Sequence, residues 1–217
     1  QLLLLYMATA SLLIEQALER VPVKKNEIMK TILLDNIISQ KELFFMYNQI
    51  ISNPSWTLEG QSTLQNSFNR GPILHVKNEN EIPTNYAFFL WGQTLTFRIA
   101  KMLEQKNIGI PTTMFRMWFN ATYHGKKTQH WLHVDGRDVE TKSIVLFMTP
   151  VWQPDWRGSF YVDGEEFKYK PGGAVIFDSS QYHQGESPES ETYNWQRLTC
   201  NITVRSDKIA IRKEPLE

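Results

Sequence analysis

Two hydrophobic rhythms divide the chain near Pro111. Before it, apolar residues recur every three or four positions, the repeat of an amphipathic helix. After it they alternate with polar ones, the repeat of a strand with two unlike faces. The first apolar run, Leu2 to Ile14, continues as a helical pattern to Arg20 and stops at Pro22; it is too short to span a bilayer. No basic stretch precedes it and no clear small-residue cleavage site follows, so it does not read as a signal peptide. From Met29 the text reads like the start of a protein. Residues 1–28 are therefore set apart as a helical N-terminal extension, either non-native or a docking helix, and 29–217 as a single domain.

Within that domain, Thr31 to Leu34 predicts a short strand. Ser39-Gln40-Lys41-Glu42 fits a capping box, with Ile38 and Leu43 spaced for a hydrophobic staple. The helix behind it carries Leu43, Phe44, Tyr47, Ile50 and Ile51 and ends before Asn53-Pro54. A strand is expected at Ile73 to Val76. A second helix follows over about 85–106, its apolar face expected to include Phe89, Leu90, Phe97, Met102 and Leu103. Beyond Pro111 the strand-like runs are 113–123, 143–148, 158–162, 166–169, 174–178 and 197–204. His124-Gly125-Lys126, Asp163-Gly164 and Pro171-Gly172-Gly173 supply turns between them. Short strands preceded by helices predict an α+β, mainly β domain: an antiparallel sandwich or barrel over about 111–206, braced by helices on one sheet.

Charge narrows the partners. Lys+Arg and Asp+Glu are equal at 23 each, so no global field draws the chain to nucleic acid or to an anionic membrane. A single cysteine, Cys200, excludes an internal disulfide and suits a reducing, cytoplasmic setting. The triplets Asn120-Ala-Thr122 and Asn201-Ile-Thr203 match a glycosylation sequon but lie in strand-like segments, and read as coincidence. Oligomeric state is left open.

The chemistry gathers around Gln129-His130-Trp131-Leu132-His133-Val134-Asp135-Gly136 and, far downstream, Gln181-Tyr182-His183-Gln184-Gly185. On a strand, His133 and Asp135 leave the same face. One more imidazole completes a set that grips one side of a ferrous ion and leaves the other side open. The last strand alternates strictly: Arg197, Thr199, Asn201, Thr203 and Arg205 share one face, while Leu198, Cys200, Ile202 and Val204 share the other. A polar inner face suits the wall of a cosubstrate cavity.

The order of these parts is informative. A strand ending at Tyr123 comes first, then His133-x-Asp135, then Trp156-Arg157-Gly158-Ser159-Phe160. Pro171-Gly172-Gly173-Ala174-Val175-Ile176-Phe177 follows, then His183, then the strand opened by Arg197. From about Met29 to Arg205 the chain resembles the iron(II)- and 2-oxoglutarate-dependent dioxygenases, specifically the prolyl-4-hydroxylase-like branch with its small bacterial and phage members. The resemblance implies a double-stranded β-helix, or jelly roll. It implies His133, Asp135 and His183 as ligands of Fe(2+), and Arg197 as the partner of the distal carboxylate of 2-oxoglutarate, with Arg205 as the alternative. Tyr123, Asn120 and Thr199 become further cosubstrate contacts. O2 is then the oxidant, with ascorbate as a stimulant, and the products include succinate and CO2. An intact Asp135 favours hydroxylation over halogenation. The substrate is expected to be a small molecule or a peptidyl residue such as proline. Trp131, Arg137, Trp152, Trp156 and Gln181 are expected near the barrel mouth, and His75, His124 and His130 on the surface or in loops. Two other readings compete. Asn201-Ile-Thr203-Val-Arg205 resembles the ending of alkylated nucleic-acid demethylases, and a cupin-like module could bind metal without catalysis.

Overall fold

Local signals place the elements. Ser39 starts the first helix by accepting the Glu42 N–H on its hydroxyl at 3.3 Å, and Asn85 caps the second by accepting the Phe88 N–H at 3.0 Å. Glu42 does not complete the reciprocal half of a capping box with the Ser39 N–H. Its carboxylate takes the Trp91 indole N–H at 3.0 Å and Arg98 at 3.1 Å, and so ties the two helices together.

The computed structural model describes residues 29–57, 73–77, 81–122, 132–136, 140–189 and 196–205. In order these form β1 (Ile32–Leu34), α1 (Gln40–Ile51), β2 (Ile73–Lys77), α2 (Tyr86–Glu104), β3 (Thr113–Thr122) and β4 (Thr141–Phe147). A single 3-10 turn (Pro154–Trp156) leads to β5 (Phe160–Val162), β6 (Glu165–Phe167), β7 (Ala174–Asp178), β8 (His183–Gly185) and β9 (Arg197–Arg205). Six strands make one antiparallel sheet in the order β1-β7-β4-β9-β3-β2, and β6-β5-β8 make a smaller one. An isolated bridge pairs His133 with His183, which adds the 132–136 segment to the edge of the small sheet. The expected jelly roll is what forms. The proposed extension at 1–28 lies outside the described residues, as does Tyr123.

The large sheet separates two unlike interiors. Its outer face, with Phe119, Ile144, Leu146, Ile176, Leu198, Cys200 and Ile202, packs on α1 and α2 in a continuous apolar core. Its inner face joins the small sheet through a second cluster that includes Val145, Phe147, Phe160, Tyr169 and Phe177. Alternation along each strand sends neighbouring residues into different interiors.

The helix faces differ from expectation. Leu90 and Phe97 are 61% and 55% exposed, and Phe44 is 38% exposed. The buried face of α2 is Phe88, Gly92, Leu95, Thr96, Ile99 and Leu103. Gly92 is there for space, since a Cβ would lie 2.4 Å from Met117 Sδ on β3. The small Gly92 at this contact and the polar Thr96 hid this face from a reading based on large apolar side chains.

Turn chemistry agrees with the sequence at Asp163-Gly164. Both residues have positive φ, 47° and 84°, and they join β5 to β6 with Val162 opposite Glu165. The strand β8 carries few β-branched residues and was not anticipated as a strand; pairing with β5 and with His133 holds it in place.

Candidate metal and cosubstrate site

The inner space is polar at one end because of where two backbone segments meet. His133 and His183 exchange backbone hydrogen bonds, His133 N–H to His183 O at 3.1 Å and the reverse at 2.9 Å. Their rings consequently stand 4.3 Å apart, centroid to centroid. Asp135 and Gly136 both donate their N–H groups to Ser179 O, at 3.0 and 3.1 Å, which turns the Asp135 side chain back toward the imidazoles. Nε2 of His183 and of His133 lie 3.5 and 3.8 Å from Asp135 Oδ1. One ligating atom from each residue falls within 4.8 Å of the other two, so one divalent ion would satisfy all three.

Surrounding groups orient His183 and Asp135. His183 Nδ1 is 3.0 Å from Gln181 O. A carbonyl can only accept, so Nδ1 holds a proton and Nε2 faces the site, where its proton supports Asp135 without a metal and its lone pair would take a metal in exchange for that proton. Phe177 and Phe160 wall the His183 ring at 4.7 and 5.7 Å. Ser143 donates its hydroxyl to Asp135 Oδ2 at 2.5 Å, which leaves Oδ1 for a metal, and its oxygen lies 2.9 Å from that of Ser179. Burial pushes the Asp135 carboxyl upward. The hydrogen bond and charge of His183, then the Ser143 hydroxyl and the His133 charge, outweigh this and hold it below its ordinary value. It is an anionic oxygen between two imidazole nitrogens, a donor set that fits ferrous iron.

Arg197 opens β9 on the same inner face and is only 2% exposed. Its Nε–H donates to Gly158 O at 2.7 Å, and its guanidinium sits 5.3 Å from the centre of the Tyr169 ring. Gly158, at φ +76°, is needed here: a Cβ would lie 2.6 Å from the Trp152 ring and 3.1 Å from Arg197 Cδ. Tyr169 is fixed in turn. Its hydroxyl donates to Leu198 O at 2.6 Å and accepts the Thr149 N–H at 2.8 Å. Burial raises its phenol pKa to about 12. Arg197 is anchored at Gly158, before the start of β5, while His183 pairs with Val162 at its end.

Asn120 and Thr199 face each other across β3 and β9 on this inner face, between Arg197 and the cluster of His133, Asp135 and His183. Thr199 is buried, and its hydroxyl accepts from Asn201 Nδ2 at 3.3 Å. Arg205 lies at the far end of β9, over the Phe115 ring at 4.2 Å. It is well separated from Arg197. Three expectations change. Gln181 is not at a mouth: its side chain accepts the Asp178 N–H and donates to Asp163, which shapes the turn before His183. Trp152 and Trp156 meet edge-to-face, and Trp152 packs against the Tyr169 ring at a tilt, at the Arg197 end. His75 is half-buried on β2 opposite Trp118, not in a loop. Trp131, Arg137, His124 and His130 lie outside the described residues. Ser143, Ser179, Tyr169 and Gly158 were missed; only the register of the sheets brings them to the site.

Solved structures with the same architecture place it among known folds. The chain matches a prolyl-4-hydroxylase from Pseudomonas putida at 17% identity and TM-score 0.55, over 81% of this chain and 92% of that one. This is the fold of the 2-oxoglutarate/iron(II) oxygenases. An oxidoreductase of the 2OG-Fe(II) oxygenase family from Burkholderia pseudomallei matches at 13% identity and TM-score 0.57, covering 81% and 84% of the two chains. The viral collagen prolyl hydroxylase of Paramecium Bursaria Chlorella virus-1, in its 2OG complex, matches at 13% identity and TM-score 0.54, covering 82% and 97%. No protein-family model matches the chain, and no curated protein sequence does. Among the described residues, no helix is long and apolar enough to cross a membrane.

Proposed function

We propose that residues 29–217 form an iron(II)- and 2-oxoglutarate-dependent dioxygenase that hydroxylates a small molecule or a peptidyl residue such as proline. The observation that carries this reading is the convergence of His133, Asp135 and His183 on one point of the inner face, with the buried Arg197 guanidinium on the same face beyond them. Ferrous iron would supply the activation of dioxygen, with 2-oxoglutarate as the co-reductant: one oxygen atom enters the substrate C–H bond and the other enters succinate, with loss of CO2.

The chain's own residues then have distinct tasks. His133, Asp135 and His183 hold the ion by one face. Gln181 O keeps the His183 proton on Nδ1, and Ser143 keeps Asp135 Oδ2 occupied so that Oδ1 points inward. Arg197 takes the distal carboxylate of 2-oxoglutarate through its planar fork, with Asn120 and Thr199 alongside. Tyr123 is assigned a supporting contact from its place just after β3. Phe160 and Phe177 dry the site around His183. The Pseudomonas and viral neighbours are named prolyl hydroxylases, which supports trying prolyl peptides first.

The test is succinate formation by purified protein given ferrous iron, 2-oxoglutarate, ascorbate and air, with prolyl peptides and free amino acids as substrates. Succinate that depends on iron and rises with one substrate class is the expected result. Iron that binds without any 2-oxoglutarate consumption would instead favour a metal-binding module.

A further inference from the structure

One inward-facing position past the metal ligands, at the end away from Arg197, lies a cavity of about 200 Å3. Its walls include Phe115, Arg116, Asp135, Thr141, Thr203 and Arg205. The register fixes its place. Thr203 pairs with Ser143, whose hydroxyl holds the metal ligand Asp135, and Arg205 pairs with Thr141 one step further along. The cavity therefore shares Asp135 with the metal site and opens from it on the side that the cosubstrate does not occupy.

Two permanent positive charges line it. The Arg205 guanidinium lies over the Phe115 ring at 4.2 Å, and that of Arg116 lies 5.5 Å from the same ring and 5.6 Å from Trp118. These aromatic faces orient both cations. Arg116 donates one Nη2–H to the Asp135 carbonyl at 2.9 Å. Its Nε–H is buried with no hydrogen-bond partner among the described residues, and so is the Thr203 hydroxyl. Neither guanidinium has an ion-pair partner among the described residues. The carboxylate that lines the cavity, Asp135, is taken by the metal on the reading above. A buried donor without an acceptor is costly, and two cations beside a divalent ion leave the cavity strongly positive.

The geometry points to an anion subsite for the molecule being oxidised: Arg116 and Arg205 receive a carboxylate or phosphate group, with Phe115 against its apolar part. This rests on the iron and 2-oxoglutarate reading above and adds a substrate class to it. The anchored group would sit beside Asp135, so a C–H a few bonds away lies within reach of the metal's open face. Neutral analogues, such as the amide of a carboxylic acid, would bind poorly.

Manganese(II) in the metal site makes the test independent of turnover. Protein loaded with manganese and 2-oxoglutarate is titrated with inorganic phosphate, acetate and acetamide, and paramagnetic broadening of the phosphorus or methyl proton signal is followed. Saturable broadening by phosphate or acetate, absent for acetamide, is expected, and which of the two binds names the anion. Arg205→Gln should weaken it about tenfold while Arg205→Lys keeps most of it. Arg116→Gln should act alike, with manganese affinity measured beside it because Arg116 also holds the Asp135 carbonyl. Equal binding of acetamide, no anion binding, or affinity unchanged in Arg205→Gln overturns the subsite. A weaker 2-oxoglutarate affinity in Arg205→Gln overturns it too, by giving Arg205 to the cosubstrate. Failure of manganese or 2-oxoglutarate to bind at all removes the underlying reading, and is seen separately.

Discussion

The two ends of β9 carry the same residue on the same face and hold it in different surroundings. Arg197 is almost wholly buried, bonded to Gly158 O and set over Tyr169 in an aromatic nest. Arg205 is half-buried and lines an open cavity beside Asp135. A cation enclosed by aromatic rings and a backbone carbonyl is preorganised for one fixed partner, whereas a cation at a cavity wall can meet ligands of several shapes. His133, Asp135 and His183 lie between them. The inner space thus has a closed end and an open end, which on the reading proposed above would serve a constant cosubstrate and a variable substrate respectively.

The largest effect should come from removing what separates the two ends. His183→Ala should abolish both iron retention and 2-oxoglutarate decarboxylation, read from the metal content of purified protein and from succinate release. Next, Arg197→Leu should leave the distal carboxylate of 2-oxoglutarate unpaired, a loss of roughly 2–5 kcal/mol. That raises the apparent 2-oxoglutarate constant about thirtyfold to several thousandfold. Arg205→Leu should leave that constant alone. If the two variants exchange behaviours, the ends have been assigned the wrong way round.

Smaller changes sharpen the same contrast. Ser143→Ala frees Asp135 Oδ2 and should weaken metal affinity by about tenfold to a hundredfold, measured by competition with a chelator. Tyr169→Phe acts at the closed end only. It strips the Thr149 N–H and Leu198 O of a buried partner, and should cost about 1–3 kcal/mol of stability with little change in metal affinity. The same residue has a pH signature. Its phenol pKa is raised in the folded state to about 12, so the neutral form stabilises the fold fully below its unfolded value near 10. That contribution is lost as pH climbs from there through the folded value. Alkaline unfolding between these limits should be shallower in Tyr169→Phe.

The sequence made some of this legible. His133-x-Asp135, His183 and the alternation of β9 are local patterns, and the fold brings the three side chains to one point. The strands were readable wherever β-branched residues alternated. What stayed hidden depends on register. Ser143 reaches Asp135, and Gly158 meets Arg197, because of which residues face each other across the sheets, and a single chain does not print that information. Gln181 and the Trp152–Trp156 pair sat close to the motifs in sequence yet turned out to shape a turn and an aromatic nest. Leu90 and Phe97 misled for the opposite reason: apolar residues at helical spacing point outward when the small residue Gly92 sits at the contact.

The most direct test of the account is an anaerobic titration of iron(II)-loaded protein with 2-oxoglutarate, followed by visible absorbance. Chelation of 2-oxoglutarate to a ferrous ion held by His133, Asp135 and His183 predicts a weak, saturable visible band, with Arg197→Leu requiring at least thirtyfold more 2-oxoglutarate to reach the same amplitude, about 2 kcal/mol. A protein that binds one iron yet shows no band at any 2-oxoglutarate concentration would contradict it.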